Sequence, residues 1–152
     1  MIRRSQPLRR SSKFLKRSRP RKQRKTTVAS LKRKLWKLFS AYVLERDKRA
    51  CFTCGNVADQ AGHFYSTRIA STWIDPRNVH AQCARCNLYL HGNPGMYAER
   101  IRLDYGQDEL ERLSKRATQV IKQWRADELE TFIEALKRGG AEYEISYYAG
   151  NL

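Results

Sequence analysis

The chain has 152 residues, 17.8 kDa, and sets 31 Lys or Arg against 15 Asp or Glu, a formal net charge of +16. That length gives one domain with tails, or one small domain plus a helical extension. A spanning helix is excluded because no run reaches the roughly 18 apolar residues it needs, and the first residues lack the apolar middle of a secretory signal. The surplus charge is local. Residues 1–39 hold 16 Lys or Arg and no acid, which leaves 15 basic groups against 15 acidic ones over the rest. A neutral body with a cationic arm points to nucleic acid rather than membrane, and to a cytoplasmic setting in which thiols stay reduced and bind metal.

Residues 1–27 are Arg, Lys, Ser and Pro with few apolar groups, a composition expected to be disordered. Arg17, Arg19, Arg21, Lys22, Arg24 and Lys25 are expected to clamp phosphates without regard to sequence. Residues 28–50 read as an amphipathic basic helix. Leu31, Leu35, Leu38 and Tyr42 form its stripe, widened by Trp36, Phe39 and Val43, and Lys32, Arg33, Lys34 and Lys37 extend the phosphate surface. Trp36 reads as core.

The core segment, 51–95, contains all four cysteines and all three histidines. Cys51-x-x-Cys54 and Cys83-x-x-Cys86 are separated by 28 residues, the pattern of two knuckles closing on one tetrahedral zinc ion. Four thiolates make a closed, structural site, so any chemistry belongs to the residues between and just after the pairs. Ala61–Tyr65 and Asn78–Gln82 alternate as short strands, with a turn at Asp75-Pro76-Arg77. Period two aligns Asn78, His80 and Gln82 on one face, which suggests a site. A helix from Ala84 to about His91 stops at Gly92-Asn93-Pro94 and carries Asn87 and His91 on one face. This strand-strand-helix unit gathers His63, Asn78, His80, Asn87 and His91 beside the zinc, as in a ββα-metal finger. Arg68, Arg77 and Arg85 are expected to meet phosphate.

Residues 96–152 read as a helical extension. A short helix ends at Gly106, and two longer ones, Leu110 to Trp124 and Leu129 to Leu136, are expected to pair antiparallel, with Asp127 and Glu130 as a capping box. The final Tyr143–Ala149 stretch reads as either a strand or a frayed end. The fold class is α+β: a zinc-stapled ββα-metal finger with an N-terminal helix and a C-terminal helical extension.

Over about residues 42–106, Cys51-x-x-Cys54-Gly55, Ala61-Gly62-His63-Phe64, Arg77-Asn78-Val79-His80-x-Gln82-Cys83-x-x-Cys86-Asn87, Gly92-Asn93 and Tyr97 together resemble the NinG/Rap family of lambdoid-phage recombination proteins. The resemblance implies an HNH-like, metal-dependent DNA endonuclease that cuts branched recombination intermediates of the Holliday-junction type, acting in the cytoplasm of the bacterial host. It implies His63 as general base, Asn78 as the residue orienting it, and Asn87 as a ligand of a catalytic Mg²⁺ or Mn²⁺. Gly62 stands where most HNH sites carry a metal-binding Asp; Asp59, His80 and His91 are the residues available to replace it, with Asp59 favoured as a hard oxygen donor. Symmetric cutting of a four-way junction implies a homodimer. The competing readings are a silent nucleic-acid-binding module and a nicking nuclease without structure preference.

Overall fold

The computed structural model describes residues 26–149, so the arm residues Arg17, Arg19, Arg21, Lys22, Arg24 and Lys25 lie outside the described residues. Helix α1 spans Val28–Arg46. Thr27, placed in the arm by composition, is its cap: Thr27 Oγ1 accepts from the Ser30 backbone N–H (3.2 Å), and Ser30 Oγ accepts from that of Thr27 (3.0 Å). The buried row is Leu31, Leu35, Phe39 and Val43, strictly four apart, and Leu38 and Tyr42 are half-buried at its edge. This row is narrower than the expected stripe because α4 (Ala126–Arg138) lies along it.

Lys48 and Arg49 take left-handed backbone angles (φ 51° and 53°) and turn the chain from α1 into the first knuckle. Strands β1 (Gln60–His63) and β2 (Val79–Gln82) then pair antiparallel, Gly62 opposite His80 and His63 opposite Val79. The end of α1 clamps β2. Arg46 donates to the carbonyls of Pro76 (2.8 Å) and Val79 (2.9 Å), and Asp47 accepts from the Ala81 N–H (2.7 Å). Burial would lower the Arg46 pKa, but the Asp47 carboxylate beside it more than compensates, so the clamp stays charged.

The second knuckle opens into a π-helical turn, Arg85–Tyr89, shorter and wider than the expected α-helix. Three consecutive left-handed residues, His91 (φ 49°), Gly92 (φ 88°) and Asn93 (φ 51°), swing the chain into α2 (Pro94–Tyr105). Helix α3 (Gln107–Gln119) packs on α2. Its continuation toward Trp124 is non-helical, from Val120 to Arg125, which differs from the single helix expected there. Helix α4 therefore packs on α1 and on α5 (Gly140–Ala149) rather than pairing with α3 as expected. Its cap is Arg125, two residues before the expected Asp127, with Glu128 accepting from the Arg125 N–H (2.9 Å). The stretch left open as strand or frayed end is helical because Tyr143 and Tyr147, four apart, are buried against Phe132.

Leu35, Phe39, Ile133, Tyr143 and Tyr147 belong to the main core, and Tyr97, Ile101 and Leu113 form a second cluster under α2 and α3. Between them lies a small cluster of Cys51, Ala58, Ala81 and Cys86. Asp75 joins the halves: its fully buried carboxylate accepts from Arg112 (3.0 Å) and from the Arg77 N–H (2.9 Å), and lies 3.8 Å from Arg116. Burial raises the Asp75 pKa and the two arginines oppose it.

Candidate active site and metal centre

The two knuckles bring the four thiols together. All four Sγ atoms lie within 4.8 Å of one another, and Cys54 and Cys83 are 3.7 Å apart. A tetrahedral zinc with bonds of about 2.3 Å requires sulfurs about 3.8 Å apart, so the cluster fits a structural metal such as zinc. The local backbone is built for thiolate. Although burial of Cys51 raises its pKa, the Thr53 hydroxyl (3.3 Å) and nearby backbone N–H groups lower it to about 6. At Cys54 an N–H at Asn56 favours thiolate, yet partial burial and the three neighbouring thiols push it up to about 12. Without a cation one sulfur takes the charge and its neighbours keep protons. A bound ion displaces those protons.

On the face toward α1, His63 borders a cleft of about 300 Å³ lined by Trp36, Ala61, Ser66, Thr67, Asn87, His91 and Gly92. The ring is held from two sides. Trp36 stacks on it at 5.0 Å between centroids, and Nε2 donates to the Trp73 carbonyl at 2.9 Å. That bond assigns the proton to Nε2 and leaves Nδ1 as the basic nitrogen. Burial disfavours imidazolium and lowers the His63 pKa below its ordinary 6.5, against a smaller opposite effect of the Trp73 carbonyl.

Asn78 makes no direct bond to His63 among the described residues. Its buried carboxamide accepts from the Tyr65 N–H (2.7 Å) and donates to the carbonyls of Tyr65 (3.1 Å) and Thr72 (2.9 Å). It thus pins both ends of the loop whose next carbonyl, at Trp73, orients the His63 ring. Asn87, which lines the cleft, donates to Gln60 Oε1 at 2.7 Å, so its amide nitrogen is engaged and its Oδ1 is the atom left to act as an acceptor. His91, exposed and left-handed, lines the same cleft.

His80 is elsewhere. The register puts it across from Gly62, on the opposite face of the hairpin from His63, where Phe52 stacks on it at 3.8 Å. Nδ1 donates to Tyr97 Oη (3.0 Å), which itself donates to the Gly62 carbonyl (3.0 Å), and Nε2 accepts from Tyr105 Oη (2.9 Å). Burial, reinforced by Arg46 and Arg77, holds its pKa well below 6.5. Both nitrogens are spent, so His80 braces the hairpin. The polar face read from period two is an internal one.

Asp59 is exposed, precedes β1 and is not among the residues lining the cleft. Gly62 has a steric reason. Gln82, buried and donating to the Gly92 carbonyl at 2.8 Å, places its carboxamide oxygen where a β-carbon at position 62 would stand. Gly62→Ala is therefore expected to destabilise the protein by about 1–3 kcal/mol, as overpacking does. Denaturant melts check this, and Gly62→Ala in a Gln82→Ala background should cost less than it does alone.

Lys32 lies 5.7 Å over the Trp73 ring, and Arg33, Lys37, Arg68 and Arg85 are exposed without a carboxylate partner among the described residues. Lys34 is exposed and close enough to Glu134 to lower that carboxyl's pKa, after the larger effect of Lys137. Arg77 is committed internally, stacked over Tyr105 at 4.1 Å, which leaves only part of it for phosphate. The residues that sequence reasoning missed as site elements are Trp36, read as core, and the Trp73 carbonyl and Gln60, for which no motif gives a signal.

A cavity of about 850 Å³ on the other face is bordered by Cys51, Phe52, Arg100 and Tyr105. Its histidine is His80, already saturated. No helix among the described residues is long and apolar enough to cross a membrane.

No solved structure matches the chain. Protein ninG of Escherichia phage 933W is 33% identical over 95 residues, 57% of this chain and 47% of that protein. Protein ninG of Escherichia phage lambda is 31% identical over 99 residues, 60% of this chain and 48% of its own length, and that of Salmonella phage P22 is 37% identical over 59 residues, 36% and 29%. The chain thus spans about half the length, or less, of these curated relatives. The sequence model of the family described as Bacteriophage Lambda NinG protein matches residues 2–142, nearly the whole chain, and the protein therefore belongs to the NinG family.

Proposed function

We propose that the protein is an HNH-like, metal-dependent endonuclease that hydrolyses phosphodiesters in branched DNA. The observation that carries this reading is the His63 cleft: an oriented imidazole with a free Nδ1, beside Asn87 and His91, on a hairpin braced by the cysteine cluster. Its walls are electrostatically one-sided. None of the residues lining it is Asp or Glu, and Lys32, Arg68 and Arg85 lie on the segments that supply Trp36, Thr67 and Asn87 to it. A phosphodiester entering the cleft meets no carboxylate among its lining residues.

In the proposed reaction His63 Nδ1 accepts a proton from water as its oxygen attacks phosphorus, and the bond to the 3′ oxygen breaks. The Trp73 carbonyl holds the Nε2 proton throughout and favours the imidazolium as it forms. Asn87 Oδ1 is the hard donor that would hold a divalent ion, with His91 next to it. Such an ion supplies charge neutralisation at the phosphate and leaving oxygen. With no carboxylate in the cleft, the protein alone offers that ion little, and Mg²⁺ or Mn²⁺ is expected to bind tightly only when phosphate oxygens join the shell. Two copies acting together would cut a four-way junction symmetrically.

The test incubates zinc-loaded protein with a labelled four-way junction and, separately, with matched linear duplex, with Mg²⁺, with Mn²⁺ and with neither. Cutting that needs the added metal and is faster on the junction is expected. Tight binding without cleavage under any metal would leave a silent binding module, and equal rates on both substrates would leave a nuclease without structure preference.

A further inference from the structure

The π-helical turn that carries Asn87 into the cleft turns its next three side chains outward. Leu88 is 57% exposed, Tyr89 78% and Leu90 41%, and Met96 lies exposed on the following helix. An apolar tip of three consecutive residues is costly in water, and here it is rigidly mounted. Cys86, at its base, belongs to the metal cluster, and the Gly92 N–H closes the turn onto the carbonyls of Cys86 (2.9 Å) and Asn87 (3.0 Å). The tip therefore does not collapse onto the body.

We infer that Leu88, Tyr89 and Leu90 form a wedge that enters the base stack of DNA at a branch point, unstacking the bases next to the phosphate held in the His63 cleft. This deepens the nuclease reading and rests on it for the position of the phosphate. Charge decides the occupant. The turn itself carries Arg85, exposed and without a carboxylate partner among the described residues, and no acid, while Lys32 and Arg68 lie on the segments that supply Trp36 and Thr67 to the cleft. A second copy would bring the same cations against these, whereas a nucleic acid brings phosphates to the rim and flat apolar bases to the tip. Leu and other apolar side chains between base steps are a known means of kinking DNA, and aromatic rings accept unstacked bases of any sequence. A four-way junction or a nick offers such bases at low cost, while continuous duplex does not. The wedge would thus supply the structure preference that a sequence-blind cationic surface lacks.

The experiment uses the full chain carrying His63→Ala, so that cleavage plays no part, and four-way junctions with 2-aminopurine beside the branch. Binding should raise the fluorescence about twofold or more. Adding Leu88→Ser with Tyr89→Ser should remove most of that rise and weaken junction binding about tenfold, with affinity for linear duplex within about twofold. Tyr89→Ser alone, with zinc content and circular dichroism unchanged, gives the same test should the double change disturb folding. A bound junction with no fluorescence rise, or serine variants that bind and unstack like the parent, would overturn the wedge and leave the cleft reading untouched. A lower oligomeric mass of the variants in light scattering, with junction fluorescence retained, would overturn it in favour of a self-association face.

Discussion

Stripping the metal from the cysteine cluster, or replacing Cys83 with serine, is expected to unfold the hairpin and the π-helical turn while α1, α4 and α5 stay largely helical. The asymmetry follows from where apolar surface is buried. The main core joins α1 to α4 and α5 through Leu35, Phe39, Ile133 and Tyr143 without using a cysteine. The middle cluster consists of Cys51, Ala58, Ala81 and Cys86, two alanines and two thiols. Two buried alanines contribute little by the usual ~25 cal/mol per Å², whereas structural zinc supplies on the order of 10–16 kcal/mol in model peptides. That exceeds or equals the whole stability of an ordinary domain, about 5–15 kcal/mol. Chelation should therefore release close to one zinc per chain and abolish amide protection across Cys51–Gly55 and Val79–Leu90. Far-UV helicity should fall only modestly. Retention of protection in the stripped protein would show that packing alone holds the knuckles. Chelators also cannot serve as a simple control for a catalytic ion, because they remove the structural one first.

The elements whose cause is local were readable from the residues. The cysteine cluster follows from two Cys-x-x-Cys pairs, α1 from its apolar row, and the cleft members His63, Asn87 and His91 from hairpin and turn signals. What was not readable depends on which face of the hairpin the rest of the chain covers. Period two correctly aligns His80 with Gln82, but nothing in it says that Phe52, Tyr97 and Tyr105 close over that face. The same closure explains Gly62. By resemblance to HNH sites its missing side chain reads as a lost metal ligand, while in the fold it is the space that the Gln82 carboxamide occupies. The orienting partner of His63 was also invisible, because it is a backbone carbonyl at Trp73. The break after Gln119 and the helix at Gly140–Ala149 are set by what Trp124, Tyr143 and Tyr147 pack against.

Replacing His63 by Ala or Gln is expected to slow junction cleavage by about 10²–10⁴-fold, the usual contribution of a positioned general base, with junction affinity within about twofold. Affinity should hold because the neutral ring contributes no charge to phosphate binding. The pH profile carries the sharper signature. The base works as free imidazole, so the single-turnover rate should rise with pH as His63 loses its proton and then level off. Burial lowers that pKa below 6.5, hence the plateau should be reached before neutrality, with the falling limb confined to acid. In the variants the residual rate should lack this limb. Single-turnover rates from pH 5 to 8, with binding measured at each pH and zinc content checked at the acid end, separate loss of the base from loss of the fold. Gln is the more telling replacement, since it keeps bulk beside Trp36 and Ala does not. If His63→Gln cut the junction at the parent rate, His63 would be a packing residue. The base role would then fall to His91, which lines the same cleft and lacks the second-side support that the Trp73 carbonyl gives His63.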